Sequence, residues 1–393
     1  MRGHEHVRQA LGDHLRRMRS SHGWTLRELA ERVTRNGVEA SASRLNRFEN
    51  GETMPSLDLA EAVFRTLGVP LDYVQEIMRG SQARSKVDLS DSTFEALIEE
   101  GKRKQSLGLF NDALARFEAA YDYLLLREDG AKLDDLAEIL CLLSDIYLRL
   151  RLYRMSLDTV GRVLNLDGIS VAHRLRALLL HVAHGFMTGD FFRARLFSER
   201  AQKLIDGAEP ELQAYAHGVI GFFCFKEENY SGAIPYLEKS RDAYLKLDHV
   251  CQAAQMAVSL GYSLYCTGHP KGGRRMVSDA YRLADSKRHL EVAAYALRFI
   301  GKMDIEERSF DRAAERFRDA ARVARRLGLA AEEFMALHGL YLAETHLGEA
   351  RKAGMARRRM RRLLSEVDPD LPEKVAFLEQ FDDEAASRKR KGS

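Results

Sequence analysis

Residues 301–320 read GKMDIEERSFDRAAERFRDA, and their spacing decides the fold. Gly301 stands twelve positions before Ala313 and Phe310 three before it, while Phe317 and Ala320 follow four and seven after. Steps of four and seven return to the same face of a helix, so Ala313, Phe317 and Ala320 form one stripe. Small residues let two helices approach while a bulky one fills the space between them, the geometry of a helical hairpin. The same stripe recurs at Ala113/Phe117/Ala120, Ala194/Ser198/Ala201 and Ala233/Leu237/Ser240. Weaker copies stand at Ser156/Val160/Val163, Gly273/Val277/Ala280 and Ala353/Arg357/Met360. Successive leading members lie 43, 38, 39, 40, 40 and 40 residues apart. Phe110, Tyr153, Phe191 and Tyr230 repeat the aromatic, and Gly101, Gly221 and Gly261 repeat the upstream glycine. A non-repetitive bundle would not hold such a register, so an array of hairpins is expected.

The rest of the composition fits an all-α chain. Of 393 residues, 45% are hydrophobic and 30% charged, as in a folded globular protein, and seven prolines are few for a strand-rich one. Cys141, Cys224, Cys251 and Cys266 are scattered, which indicates neither a disulfide framework nor a zinc site. No apolar run resembles a signal peptide or a membrane span, so a cytoplasmic protein without membrane contact is expected. The net charge of +3 is unevenly placed: residues 1–50 carry ten Arg against six acidic residues. That pattern suits a small head with one basic face rather than a coat for any polyanion.

The head begins with Leu11, Leu15 and Met18 on one helical face. Thr25 with Glu28 three positions on has capping-box spacing, and Leu29, Ala30 and Val33 make the next apolar face. Ser41 caps a third helix with Leu45 and Phe48 inward, which stops at Asn50-Gly51. Pro55-Ser56 opens a fourth helix closed by Gly68, and Pro70 opens a short fifth containing Val74. These stretches, LGDHLRRMRSSHGWTLRELAERV and SASRLNRFENGETMPSLDLAEAVFRTLGVPLDYV, resemble the Cro/repressor-type helix-turn-helix domain of the xenobiotic-response-element family. Two departures stand out. About five extra residues, Arg35 to Glu39, lengthen the turn, and Leu26 and Ala42 stand where the family often places Gln.

The later part resembles a right-handed tetratricopeptide-repeat α-solenoid of about seven hairpins with lengthened repeats. The expected organisation is a five-helix head over 7–79, a linker over 80–91, repeats over 92–366 and a C-terminal tail over 367–393. The linker reads as a hinge.

A recognition helix keeps one face buried and offers the other to base edges. Ser43, Arg44, Asn46 and Arg47 are the exposed positions of the third helix. Arg44 is the best candidate for guanine; Asn46 could read adenine or cap locally, and Arg47 could reach phosphate or pair with Glu49 or Glu52. Arg16, Arg17, Arg19 and Arg27 are candidate phosphate clamps, helped by backbone amides at the helix starts. Glu49 is expected to accept hydrogen bonds internally, and Trp24 to plug the packing. One such head reads a short site, so a homodimer on a palindromic operator in double-stranded DNA is expected.

Counting along the first helix of each hairpin brings Arg176, Phe186, Tyr215, Phe222, Phe225, Tyr262, Tyr265, Tyr295, Arg298 and Lys302 to the concave wall. Aromatics with a few cations suit a short peptide or partner protein. The combination resembles the quorum-sensing transcriptional regulators that bind short peptides. Those regulators clamp the peptide backbone with asparagines, whereas Asn111, Asn165 and Asn229 lie at turns or helix ends. Clamps would instead be Arg, Lys, Gln255 or Tyr hydroxyls. No catalytic constellation, metal site or cofactor loop is read: His181 and His184 lack a paired acid, and Gly272-Gly273 lacks a phosphate-loop lysine. The competing reading is a repeat scaffold or signalling adaptor with a weak DNA-binding head.

Overall fold

The computed structural model describes residues 2–69, 74, 76, 93–106, 109–125, 132–367 and 371–380. All the regular structure there is helical. The chain divides into two compact units, residues 1–184 and 185–393.

The first unit opens with α1 (Arg2–Ser21), α2 (Leu26–Arg35), α3 (Ala42–Glu49) and α4 (Leu57–Thr66). Local chemistry sets their starts. Thr25 Oγ1 accepts from Glu28 N while Glu28 Oε2 accepts from Thr25 N at 2.7 Å, so the capping box is closed. Ser41 and Ser56 cap α3 and α4 in the same way through Arg44 N and Leu59 N. Leu11, Leu15, Leu29, Val33, Leu45, Phe48, Val63 and Phe64 are fully buried between them. The lengthened turn is pinned at both ends. Thr34 Oγ1 accepts from Ala40 N, Asn36 Nδ2 donates to Thr66 Oγ1 at 3.0 Å, and Gly37 supplies a φ of +93°.

Then come α5 (Phe94–Ser106) with α6 (Phe110–Leu125), α7 (Leu133–Arg149) with α8 (Tyr153–Leu164), and the start of α9 (Val171–Thr188). Head and first hairpins share one apolar core running from Leu11 through Val69 and Val74 to Met155. Glu76 Oε2 accepts from Arg154 N at 3.0 Å and Met155 N at 3.1 Å, sitting on the N-terminus of α8. The hinge expected over 80–91 lies outside the described residues, as does most of the fifth head helix, of which Val74 and Glu76 are helical.

The second unit holds α10 (Phe191–Ile205), α11 (Pro210–Lys226) with α12 (Tyr230–Lys246), and α13 (Val250–Cys266) with α14 (Pro270–Ser286). It continues with α15 (Leu290–Glu306), α16 (Phe310–Arg326), α17 (Ala330–His346) and α18 (Ala350–Leu363). Each hairpin packs on the next, and first helices also touch first helices: α11 on α13, α13 on α15, α15 on α17. They thus form a continuous wall. Gly301 allows the close approach the spacing predicts, since a Cβ there would lie 2.9 Å from the Phe317 ring. From 228 onward, left-handed residues fall every twenty positions: Glu228, Asp248, Gly268, Arg288, Arg308, Gly328 and Gly348. Each is the residue that ends one helix and turns the chain into the next.

One segment read as C-terminal tail is ordered. Residues 372–380 form a further helix, α19, with Phe377 buried against Phe334 at a ring separation of 5.7 Å. Residues 381–393, including the basic run near the end, lie outside the described residues.

Candidate nucleic-acid interface and repeat groove

Helix α3 buries Leu45, Phe48 and Glu49 and turns Ser43, Arg44, Asn46 and Arg47 to solvent. This is the division of faces the sequence predicts. Arg44 Nη1 donates to Glu39 O at 3.3 Å, a contact to the lengthened turn that leaves the residue exposed. Arg47 Nε lies 3.7 Å from Glu52, one of the pairings left open above.

The four flanking arginines divide. Arg27 is exposed beside Glu31 at 3.3 Å, and Arg17 is exposed with its guanidinium on His14 Nδ1. Arg16 Nη2 donates to Glu49 O and Asn50 Oδ1. Arg19 is engaged on all sides: Nε and Nη2 donate to Glu49 at 2.7 and 3.0 Å, and Nη1 donates to Trp24 O. Glu49, 2% exposed, is thus the internal acceptor expected, and Arg19 is its partner. Trp24 is half-buried between the His22 ring and the Arg32 guanidinium, the packing role read for it. At the start of α2 the capping box already occupies two of the amides proposed for phosphate.

His14 of α1 is buried. Burial, then the neighbouring Arg17 and Arg162 charges, holds its imidazole well below the usual histidine range. It is neutral at physiological pH.

Of the ten groove candidates, Arg176 belongs to the first unit and is exposed; the other nine belong to the second. Phe186, Tyr215 and Phe222 are half-buried. Phe225, Tyr262 and Tyr295 converge on Phe299, with ring centroids 5.5, 4.7 and 4.9 Å away. The tyrosine hydroxyls proposed as clamps are already engaged. Tyr262 donates to Glu306, Tyr265 donates to Met303 O, and Tyr295 pairs with Ser259 Oγ at 3.0 Å. Burial pushes the Tyr265 and Tyr295 phenols up to about 12, and burial with the Glu306 carboxylate pushes Tyr262 higher still. All three stay neutral.

Arg298 is 3% exposed, its Nε 3.0 Å from Glu332 Oε2 and its guanidinium 4.6 Å over Phe299. One turn on, Lys302 Nζ lies 3.5 Å from Glu373 of α19. Sequence reading missed Phe299, Glu332, Glu373 and Lys226. Lys226 did carry a signal: it lies four residues after Phe222 on the same helix, at the spacing that separates Arg298 from Lys302.

Elsewhere the polar clusters have structural explanations. His184 Nε2 contacts Tyr153 O at 3.0 Å, and Arg325 and Arg359 both clamp the buried Glu333 at 2.8 Å. Among the described residues no group of three or more His, Cys, Asp or Glu could hold a metal ion, and no helix is long and apolar enough to cross a membrane.

Comparison with known proteins matches this geometry. A helix-turn-helix domain family matches residues 10–77. No curated protein sequence matches. Among solved structures, a Rap protein complexed with competence and sporulation factor is 14% identical, with a TM-score of 0.59 over 70% of this chain and 77% of that one. The Rap conjugation gene regulator of the plasmid pLS20, solved in complex with a peptide, is 13% identical, with a TM-score of 0.54 over 93% and 98% of the two chains. Aspartyl phosphate phosphatase F from Bacillus subtilis is 11% identical, with a TM-score of 0.53 over 94% and 95%. At these identities the likeness to the solved structures is one of fold alone, and the helix-turn-helix domain rests on the family match over residues 10–77.

Proposed function

We propose that the chain is a sequence-specific DNA-binding transcriptional regulator whose repeat groove senses a short peptide. The observation that carries this is α3, which presents Ser43, Arg44, Asn46 and Arg47 outward from a spine of Leu45, Phe48 and Glu49. An exposed recognition helix on a folded helix-turn-helix scaffold is a device for reading the major groove. In this reading Arg44 contacts bases. Arg17, Arg27 and Arg47 neutralise phosphates, while Arg16 and Arg19 shape the face that does so. Residues 7–79 act on DNA and 92–366 on the ligand, in a cytoplasmic homodimer that places two heads on a palindrome.

The groove supports the second half of the reading. Its inner helices pack a buried aromatic core around Phe299 and carry the more exposed Lys226 and Lys302, surroundings that suit a peptide bearing an acidic group. Two of the solenoids similar to it were solved with signalling factors or peptides bound. A ligand that prefers one arrangement of the groove would shift DNA affinity by its differential affinity for the two arrangements.

The test is transcript profiling of a deletion strain complemented with wild type or Arg44→Ala. Wild type restores a discrete set of transcripts and the variant does not. Equal restoration by both would refute the regulatory role of α3.

A further inference from the structure

The second unit gathers charge on its inner helices. Arg298 and Lys302 stand one turn apart on α15, and Lys226 stands at the end of α11, two hairpins earlier. Arg298 pairs with Glu332 of α17 at 3.0 Å and Lys302 with Glu373 of α19 at 3.5 Å, and Lys226 lies within the field of both acids. The crowding has a measurable signature. Burial, then the Arg298 charge, lowers the Lys302 ammonium from its usual range. Burial works against the Glu373 carboxylate, yet Lys302, Arg298 and Lys226 together hold it below the ordinary carboxylate range. His338 of α17 lies in the same field, pushed down by burial and Lys302 and up by Glu373.

Glu373 does not belong to the repeat array. It is delivered by α19, which lies on the inner helices α15 and α17. Phe377 seats on Phe334, Gln380 Nε2 donates to the Tyr341 hydroxyl at 3.1 Å, and Lys374 Nζ donates to Leu364 O and Val367 O. These contacts hold the helix independently of its acid. Remove the acid alone, and Lys226, Arg298 and Lys302 are left facing Glu332. Three cations against one anion beside an aromatic hub is a site with an unmet demand for negative charge.

We propose that Lys226, Arg298 and Lys302 form the acid-recognition site of the groove, and that Glu373 fills it in cis in place of the carboxylate of an acidic peptide. The inference rests on the peptide-sensing reading above and gives it a ligand chemistry: a short peptide with an acidic side chain or a free terminal carboxylate. The cis acid lowers apparent affinity, because a peptide binds only the fraction of molecules in which Glu373 has left the site. Occupancy by peptide and docking of α19 therefore oppose each other.

The experiment uses full-length wild type, Glu373→Gln and Lys302→Gln, each incubated with three pools of short synthetic peptides. One pool is amidated and carries a single Glu, one has free carboxyl termini and no acidic side chain, and one is amidated and lacks acids. Bound peptides are counted by mass spectrometry. Glu373→Gln should bind one of the acidic pools about tenfold more tightly than wild type, and Lys302→Gln should lose it. The responding pool identifies which carboxylate the site takes. In wild type, the enriched peptide should accelerate amide exchange over 372–380. Thermal unfolding of Glu373→Gln close to wild type checks that Phe377 and Lys374 still hold α19. Equal capture of acidic peptides by wild type and Glu373→Gln would overturn the cis-occupancy proposal and leave peptide sensing standing. Capture of the neutral pool as well as the acidic ones would overturn the acid site. Capture of no pool by any of the proteins would overturn both.

Discussion

Arg19 and Glu49, thirty residues apart, meet through two guanidinium–carboxylate hydrogen bonds of 2.7 and 3.0 Å. The pair joins the last turn of α1 to the last residue of α3. Glu49 is almost wholly buried and is paired with this arginine and with the more exposed Arg16 at 3.7 Å. Helix α3 is held at its C-terminal end by an ion pair and at its N-terminal end by the Ser41 cap.

Removing Arg19 strands a buried carboxylate. Arg19→Ala should destabilise the head by about 3 kcal/mol, at the lower end for a broken buried pair because Arg16 remains. Amide exchange across α1–α3 would report it, with Arg27→Ala unchanged beside it. Equal protection in the two variants would show that Glu49 needs no partner.

Glu76 ties the head to the repeats by accepting two amides at the start of α8. A carboxylate at that position satisfies orphan donors and meets the positive end of the helix dipole. Glu76→Ala should cost about 1 kcal/mol, seen as faster amide exchange at Arg154 and Met155. Unchanged exchange there would rule out the cap.

Arg288 and Arg308 hold a φ of +58°, a conformation that a Cβ disfavours. Replacing either with Gly should stabilise the second unit by about 0.5 kcal/mol, the relief of strain exceeding the added freedom of the unfolded chain. Thermal unfolding of the double variant should shift upward; a downward shift would mean that these side chains support the turn.

His14 gives the first unit a pH dependence of known sign. Its folded pKa lies below its unfolded one, so the unfolded chain takes up the proton first as pH falls through about 6.5. Stability is retained above that value and lost below it. Urea midpoints at pH 7.5 and 5.5 should differ more for wild type than for His14→Gln. An equal difference would place the acid sensitivity elsewhere.

The features legible in sequence are local or periodic. Thr25, Ser41 and Ser56 cap helices through atoms three residues away, and the forty-residue stripe places Gly301 against Phe317. Long-range pairings left no such mark. Arg19 and Arg16 look like any other arginine of a basic head until Glu49 is seen beneath them. Arg298 lies on a first helix of a hairpin, but its burial against Glu332 depends on the next hairpin. Helix α19 follows the last repeat without a stripe of its own, and its seat is set by Phe377 on Phe334 together with the Lys374 and Gln380 hydrogen bonds. The hydroxyls of Tyr262 and Tyr265 are engaged by residues that spacing alone cannot pair with them.

The account turns on α3 reading DNA. The direct measurement is selection of bound duplexes from a random library by full-length protein near physiological salt, run in parallel with Arg44→Ala. Arg44 is exposed and its guanidinium donates to a backbone carbonyl, so the substitution leaves the fold intact. Wild type should enrich a two-fold symmetric sequence whose affinity falls by about 1–3 kcal/mol per lost base contact in the variant. Enrichment of the same sequence to the same degree by Arg44→Ala would contradict the account.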